Sequence, residues 1–245
     1  MARRRFLVEQ IRGNAAELRG EDARHLGRVL RAEPGQQYEI SDGDGVYLAE
    51  ISAVEKERVI FRVVEALETS PPPVRLTLFA ALVKFDRFEW LVEKATELGV
   101  ASIVPVNAAR SEKGLLEAAR KRAERWRRIA HESAQQARRL SAPEIGEPRS
   151  LAEGMLNTGL LYFLDEKPGA PPLAAVIPPA SERRPSDSVA VLTGPEGGWT
   201  DAERAAAIAS GWTAVSLGPL ILRAETAAIA AAGILTHAWW ASQLE

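Results

Sequence analysis

From Leu76 onward the chain alternates apolar runs of strand length with amphipathic stretches of helical period, and this alternation limits the fold more than any other feature. A helix between two strands lets the second run in the same direction as the first, so repeated alternation yields an α/β domain, a mostly parallel sheet with helices on both faces. Leu76–Val83, Ile103–Val106, Leu160–Leu164, Ser188–Leu192 and Ala214–Leu217 read as its strands. The first intervening pattern predicts a helix opened by the capping box Asp86-Arg-Phe-Glu89, with Phe88, Leu91, Val92 and Ala95 on one face, and closed by Gly99. A long helix near 117–140, a helix opened by the capping box Thr200-Asp-Ala-Glu203 and a final helix from Leu222 complete the set. The proline-rich stretch 168–185 reads as a loop.

The first seventy residues carry a different pattern. RFLVEQ, the two alternating runs of YEISDGDGVYLAEIS and the run VIFRVVEAL are β-forming, with Asp-Gly-Asp-Gly as a hairpin turn. Between them Glu21–Arg31 predicts a helix with Leu26, Val29 and Leu30 inward and Arg24, Arg28 and Arg31 on another side. Thr69-Ser-Pro-Pro-Pro73 is a stiff connector, so the expected domains are 1–70, a small barrel or sheet, and 74–245, the α/β domain.

Composition removes several function classes. The chain has no cysteine, and its three histidines, His25, His131 and His237, are far apart, so no metal centre is expected. No run reaches the roughly 18–20 apolar residues that cross a bilayer, and the expectation is a cytoplasmic protein without a membrane partner. A formal net charge of -2 argues globally against nucleic acid. Yet residues 1–31 hold eight arginines against four acids, and residues 117–140 hold eight basic residues against three acids. Positive charge concentrated in two places is what a phosphate-binding surface requires, although solvated helix faces explain either run alone.

Two glycine-bearing loops follow strands, Thr193-Gly-Pro-Glu-Gly-Gly198 and Gly218-Pro219, and in open α/β sheets ligands sit beyond those strand ends. Glycine admits a close backbone approach, and a simple turn poorly explains three glycines around Glu196. The first loop lacks both the lysine of a phosphate-binding P-loop and the spacing of a dinucleotide fingerprint. Farther on, Arg223, Glu225 and Thr226 open an otherwise apolar helix, which leaves a functional role and an internal ion pair with a cap both open.

GPEGGWTDAE followed by LGPLILRAETA resembles the paired C-terminal motifs of the RsmE family, methyltransferases of the SPOUT superfamily. HLGRVLR, PGQ, DGDG, KATELGV and AHESAQQARRLSAPEI extend the similarity over nearly the whole chain. The resemblance implies a PUA-like β-barrel domain for RNA binding, a C-terminal domain closed by a trefoil knot, and a homodimer. It further implies methylation at N3 of a uridine in the 16S rRNA of the small ribosomal subunit, with S-adenosyl-L-methionine as donor. Carried over by position, the donor pocket draws on Leu164, Asp165 and Glu166, on Thr193, Gly194, Pro195, Glu196, Gly197 and Gly198, and on Leu217, Gly218, Leu220, Ile221 and Leu222.

The reaction so implied requires loss of the N3 proton. Arg223 is the expected cation beside the developing anion, Glu225 its orienting partner, and Glu196 the leading proton acceptor. Arg3, Arg4, Arg5, Arg24, Arg28, Arg31 and Arg138 are the expected RNA contacts. The competing readings are a SPOUT ribose 2′-O-methyltransferase and a non-catalytic ribosome-assembly factor. The first typically carries an asparagine-bearing SLN-type sequence where this chain has Ser216-Leu-Gly-Pro-Leu.

Overall fold

The computed structural model describes residues 5–70, 72–155 and 159–244. The chain divides into two compact units, Met1–Ser70 with His131–Ala142, and Pro71–Ala130 with Pro143–Glu245. The segment 131–142, which the sequence assigns to the second domain, thus clusters with the first unit.

The first unit is a curled six-stranded sheet. Its strands are β1 (Arg5–Leu7), β2 (Ile11–Arg12), β3 (Ala15–Arg19), β4 (Gln37–Ser41), β5 (Val46–Val54) and β6 (Arg58–Leu67), in the order β1-β4-β5-β6-β3-β2. Strands β1 and β4 pair in parallel, and the other neighbours are antiparallel. Phe6, Leu18, Ile40, Ile51, Val59 and Phe61 project from alternate positions into one core. The Asp42–Gly45 turn forms as expected: the Asp42 carboxylate accepts the backbone N–H groups of Asp44 and Gly45 at 3.1 and 3.0 Å.

Helix α1 (Gly20–Arg24) runs directly into a π-helical turn, His25–Val29, and there the expected helix face fails. Leu30 N–H reaches back five residues to the His25 carbonyl at 3.1 Å. That wider winding leaves Leu26 buried but carries Val29, 66% exposed, and Leu30 to the surface.

The second unit is built on a parallel sheet. Its main strands are β7 (Arg75–Ala81), β8 (Ser102–Asn107), β11 (Leu160–Leu164), β12 (Ser188–Thr193) and β13 (Thr213–Val215). Two short strands that the sequence reading missed, β9 (Glu144–Ile145) and β10 (Arg149–Ser150), pair with successive parts of β8. The order is β10-β8-β7-β12-β11-β13. Strand residues alternate between two cores, Leu76, Leu78, Tyr162, Val189 and Val191 facing one and Phe79, Leu161, Phe163, Ala190 and Leu192 the other. Both faces are covered, which is why the strands read as continuous apolar runs.

Helices α2 (Phe85–Glu97) and α8 (Ala224–Ala241) close one face; α5 (Leu151–Gly154) and α7 (Asp201–Ala209) lie over the other. The capping box of α7 is formed, Thr200 Oγ1 accepting the Glu203 N–H at 3.2 Å and Glu203 accepting the Thr200 N–H at 2.8 Å. The capping box expected at Asp86–Glu89 is not. Lys84 is the N-cap, and Glu89 accepts from Arg122 at 3.1 Å and Arg125 at 2.7 Å, a stronger charge-assisted pairing than a backbone cap. The Arg125 hydrogen bond holds the Glu89 carboxyl below the usual range.

The single helix expected over 117–140 is two, α3 (Leu115–Arg120) and α4 (Ala123–Gln136). A tight Arg122 N–H to Ala119 carbonyl bond of 2.8 Å turns the chain between them. The proline-rich stretch also holds more structure than expected, a short α6 (Leu173–Val176) and a 3₁₀ turn at Ala180–Glu182.

Candidate active site

A cleft of about 830 Å³ opens where β11, β12 and β13 end. Its walls are the loop 164–170 after β11, the glycine loop 194–199 after β12, and the segment 215–224 that leads from β13 into α8. The volume lies within the range of small-molecule sites, and the position is the one parallel sheets favour. Ordered backbone joins two of the walls: Ser216 N–H donates to the Pro171 carbonyl at 2.8 Å, Leu173 N–H to the Ser216 carbonyl at 2.9 Å, and Asp165 N–H to the Val215 carbonyl at 2.9 Å. Beyond them Leu220 and Ile221 stand 77% and 80% exposed, an apolar wall open to solvent.

The glycines of 194–198 are explained first by the protein's own side chains. A β-carbon on Gly194 would stand 3.0 Å from the Trp199 ring, one on Gly197 would stand 2.9 Å from Arg110 Cβ, and one on Gly198 would stand 2.5 Å from a Glu166 oxygen. Gly198 also has a φ of +66°, a left-handed conformation costly to other residues. Trp199 is buried and donates its indole N–H to the Leu164 carbonyl at 2.7 Å, while Arg110 donates to the Gly197 carbonyl at 2.8 Å. The loop is therefore set from behind, with Pro195, Glu196 and Gly197 toward the cleft.

Three carboxylates line the cleft, and each is held by an arginine that does not. Arg204 on α7 donates to both oxygens of Asp165, at 3.1 and 3.0 Å, and to Glu166 at 2.8 Å. Arg87 on α2 donates to Glu196 at 3.0 Å, and its Nε stands 3.8 Å from Glu225. Glu225 is 5% exposed, and its second oxygen has no hydrogen-bond partner among the described residues. Arg223 differs from all of these: it lines the cleft, is exposed, and its guanidinium makes no ion pair or hydrogen bond among the described residues.

Residues 70–236 match the family of the RNA methyltransferase domain, and residues 18–64 match the RNA methyltransferase PUA domain. The chain is 31% identical over 236 residues to ribosomal RNA small subunit methyltransferase E of Aquifex aeolicus, covering 95% of this chain and 98% of that one. It is 30% identical to the Bacillus subtilis protein of the same name, over 95% and 96% of the two chains. The chain belongs to the ribosomal RNA small subunit methyltransferase E family. A member from Neisseria gonorrhoeae, solved bound to S-adenosyl methionine, superposes with a TM-score of 0.85 at 29% identity, over 96% of this chain and 98% of that one.

In this member of the methyltransferase E family, Leu164, Asp165, Gly194, Pro195, Glu196, Gly197, Leu217, Gly218, Leu220, Ile221 and Leu222 come together around the cleft, with Arg223 at its edge. Thr193 does not join them: it is buried within β12, paired in register with Ala80. Asp165 lines the cleft, but its carboxylate is turned to Arg204. The expected contact between Arg223 and Glu225 is not formed. Arg223 precedes α8 in an extended conformation, whereas Glu225 lies on the buried side of the first turn, toward Arg87.

The arginines expected to hold RNA also divide. Arg3 and Arg4 lie outside the described residues. Arg5 donates to buried Glu39 at 2.9 Å and to the Arg138 carbonyl, and Arg138 donates to the same carboxylate, so both serve the first unit's own packing. Arg138 takes a φ of +56° to do so. Arg24 meets Glu57 at 3.3 Å, while Arg28 and Arg31 are exposed and make no ion pair among the described residues. His131 Nε2 lies 2.6 Å from the Asp22 carboxylate and 2.7 Å from the Gln135 amide nitrogen, engaged within the first unit.

Sequence reasoning missed Arg87, Arg110 and Arg204. For two of them a signal existed, because Arg87 and Arg204 stand in the first turn or so of α2 and α7, where a cation opposes the helix dipole and calls for a carboxylate partner.

Proposed function

We propose that this chain transfers the methyl group of S-adenosylmethionine to N3 of a uridine in 16S rRNA, within the small ribosomal subunit. The observation that carries the reading is the cleft at three strand ends with Arg223 at its edge, a guanidinium that makes no ion pair among the described residues. The names of the relatives and the donor bound in the Neisseria gonorrhoeae structure support the choice of substrate and donor. The cleft's size, its apolar residues Leu217, Leu220 and Ile221, and the carbonyls and amides of 194–198 and 216–218 suit a molecule with an adenine ring and a polar amino-acid tail. The donor, when bound, supplies an electrophilic methyl on a sulfonium.

The chain's own residues do the rest. Arg223 is extended and unpaired, so its guanidinium is available to the uracil carbonyl oxygens as negative charge develops on the ring. Glu196, which faces the cleft, is the acceptor assigned to the N3 proton. Arg87, joining Glu196 to the start of α8, holds the acceptor at a set distance from Arg223. Because N3 is occupied in base pairs, the uridine enters unpaired or flipped. Arg28 and Arg31, which make no ion pair among the described residues, are cations available for RNA phosphates.

The same reading takes the domain as knotted and the protein as a cytoplasmic homodimer. Supporting the knot, Ser216 is stitched to Pro171 and Leu173 just before the chain crosses to α8. Supporting the dimer, α2 and α8 expose Trp90, Ile234 and Trp240.

The test is to incubate the protein with labelled S-adenosylmethionine and small subunits lacking their modifications, then to identify the methylated nucleoside by mass spectrometry. N3-methyluridine in 16S rRNA is expected. A 2′-O-methyl product would move the chain to the ribose-modifying enzymes, and tight RNA binding without product would make it an assembly factor.

A further inference from the structure

The cleft has a second layer that its lining residues do not reveal. Arg204 lies outside the cleft, its side chain only 11% exposed, yet its guanidinium reaches three residues of the walls. Nε donates to both Asp165 oxygens at 3.1 and 3.0 Å, Nη2 to Glu166 at 2.8 Å, and Nη1 to the Trp199 carbonyl at 2.6 Å. Asp165 and Glu166 belong to the loop after β11, and Trp199 to the loop after β12. A planar fork with several donors in fixed directions can hold such a set, whereas a lysine ammonium, a compact point charge, cannot reproduce it. The two loops are also fitted to each other by the Trp199 indole on the Leu164 carbonyl and by Glu166 where a Gly198 β-carbon would stand.

We propose that Arg204 is a positioning residue for the methyl donor: without touching it, Arg204 sets the spacing of two of the loops that wall the cleft. This rests on the donor reading given above. In its absence Asp165 would be left buried, with the Lys167 backbone N–H at 3.2 Å as its remaining partner, and the Trp199 carbonyl would lose its Arg204 donor. The same guanidinium engages the Asp165 and Glu166 carboxylates, whereas Glu196 is engaged by Arg87.

The experiment titrates S-adenosylmethionine into the RNA-free full-length chain by calorimetry, with thermal unfolding followed in parallel. Arg204→Met is expected to weaken donor binding roughly tenfold and to lower the melting temperature. The double variant Arg204→Met with Asp165→Asn removes the uncompensated buried charge. It is expected to recover the melting temperature but not the affinity, because the links to Glu166 and to the Trp199 carbonyl stay broken. Glu166→Gln, at an exposed position, is expected to weaken binding about two- to threefold with the fold intact. Recovery of affinity together with melting temperature in the double variant would reduce Arg204 to a structural role and overturn the proposal. So would wild-type affinity in folded Arg204→Met. If the wild-type chain itself fails to bind the donor, the functional reading falls and this inference with it, an outcome distinct from equal binding by wild type and variant.

Discussion

The cleft and the arginine-bearing surface of the first unit invert each other's charge and follow the same rule. In the cleft, Arg204 from a neighbouring helix holds Asp165 and Glu166, Arg87 holds one oxygen of Glu196 and leaves the other to the cleft, and Arg223 makes no ion pair among the described residues. In the first unit, Arg5 and Arg138 converge on one buried glutamate, Glu39, while Arg28 and Arg31 make no ion pair among the described residues. A charged residue already satisfied inside the fold has little to offer a ligand, because breaking its pair returns much of what the new contact supplies. All three cations are exposed, and the difference lies in setting: the cleft's is one cation lining a pocket, while the first unit's are two on the solvent-facing surface, suited to phosphates.

The largest test of this comparison is Arg223→Ala. With no ion-pair partner among the described residues to lose, the variant is expected to keep its melting temperature while methyl transfer falls about 10²–10³-fold. Turnover near the wild-type rate would remove Arg223 from the chemistry and break the rule in the cleft.

Glu39→Ala tests the first unit from the opposite side. Leaving Arg5 and Arg138 without their shared carboxylate is expected to destabilise the fold by about 2–3 kcal/mol in urea unfolding, less than the roughly 3–5 kcal/mol of a fully buried pair because Arg138 is half-exposed. A negligible change would restore those two arginines as candidates for holding RNA. Arg28→Ala and Arg31→Ala are expected to act on RNA alone. Each should weaken binding a few-fold at unchanged stability and make the slope of log affinity against log salt shallower by roughly 1 for every phosphate no longer neutralised.

The smallest effect is a pH dependence. The Asp22 carboxylate that accepts the His131 N–H, opposed in part by burial, raises the imidazole above its ordinary value. Its contribution to stability is therefore fully present below the unfolded value of about 6.5 and is lost as pH rises through the raised folded value. His131→Gln is expected to flatten the stability profile across that window, measured by urea unfolding at a series of pH values.

Much of the second unit was legible in the chain. The strands Leu160–Leu164 and Ser188–Leu192 announced themselves as apolar runs because a sheet covered on both faces needs no polar side. Thr200–Glu203 was readable because a capping box is satisfied within four residues. The same reasoning failed at Asp86–Glu89, where Glu89 had two arginines within reach that lie far along the chain. It failed at Val29 and Leu30 because a π-helical turn changes the period on which the face was counted. For the glycine loop the sequence marked the site while leaving the cause ambiguous. The missing side chains make room for Trp199, Arg110 and Glu166, one of them supplied from more than eighty residues away.

What the sequence by itself determined was the class of fold, the loops that would surround a ligand and the family to which the chain belongs, since strand pattern, glycine loops and motifs are local and survive in one dimension. Which charges remain free was decided only by the tertiary structure. Arg87, Arg204 and Glu39 each neutralise residues distant in the chain, and a long-range ion pair leaves no periodic trace in the sequence that forms it.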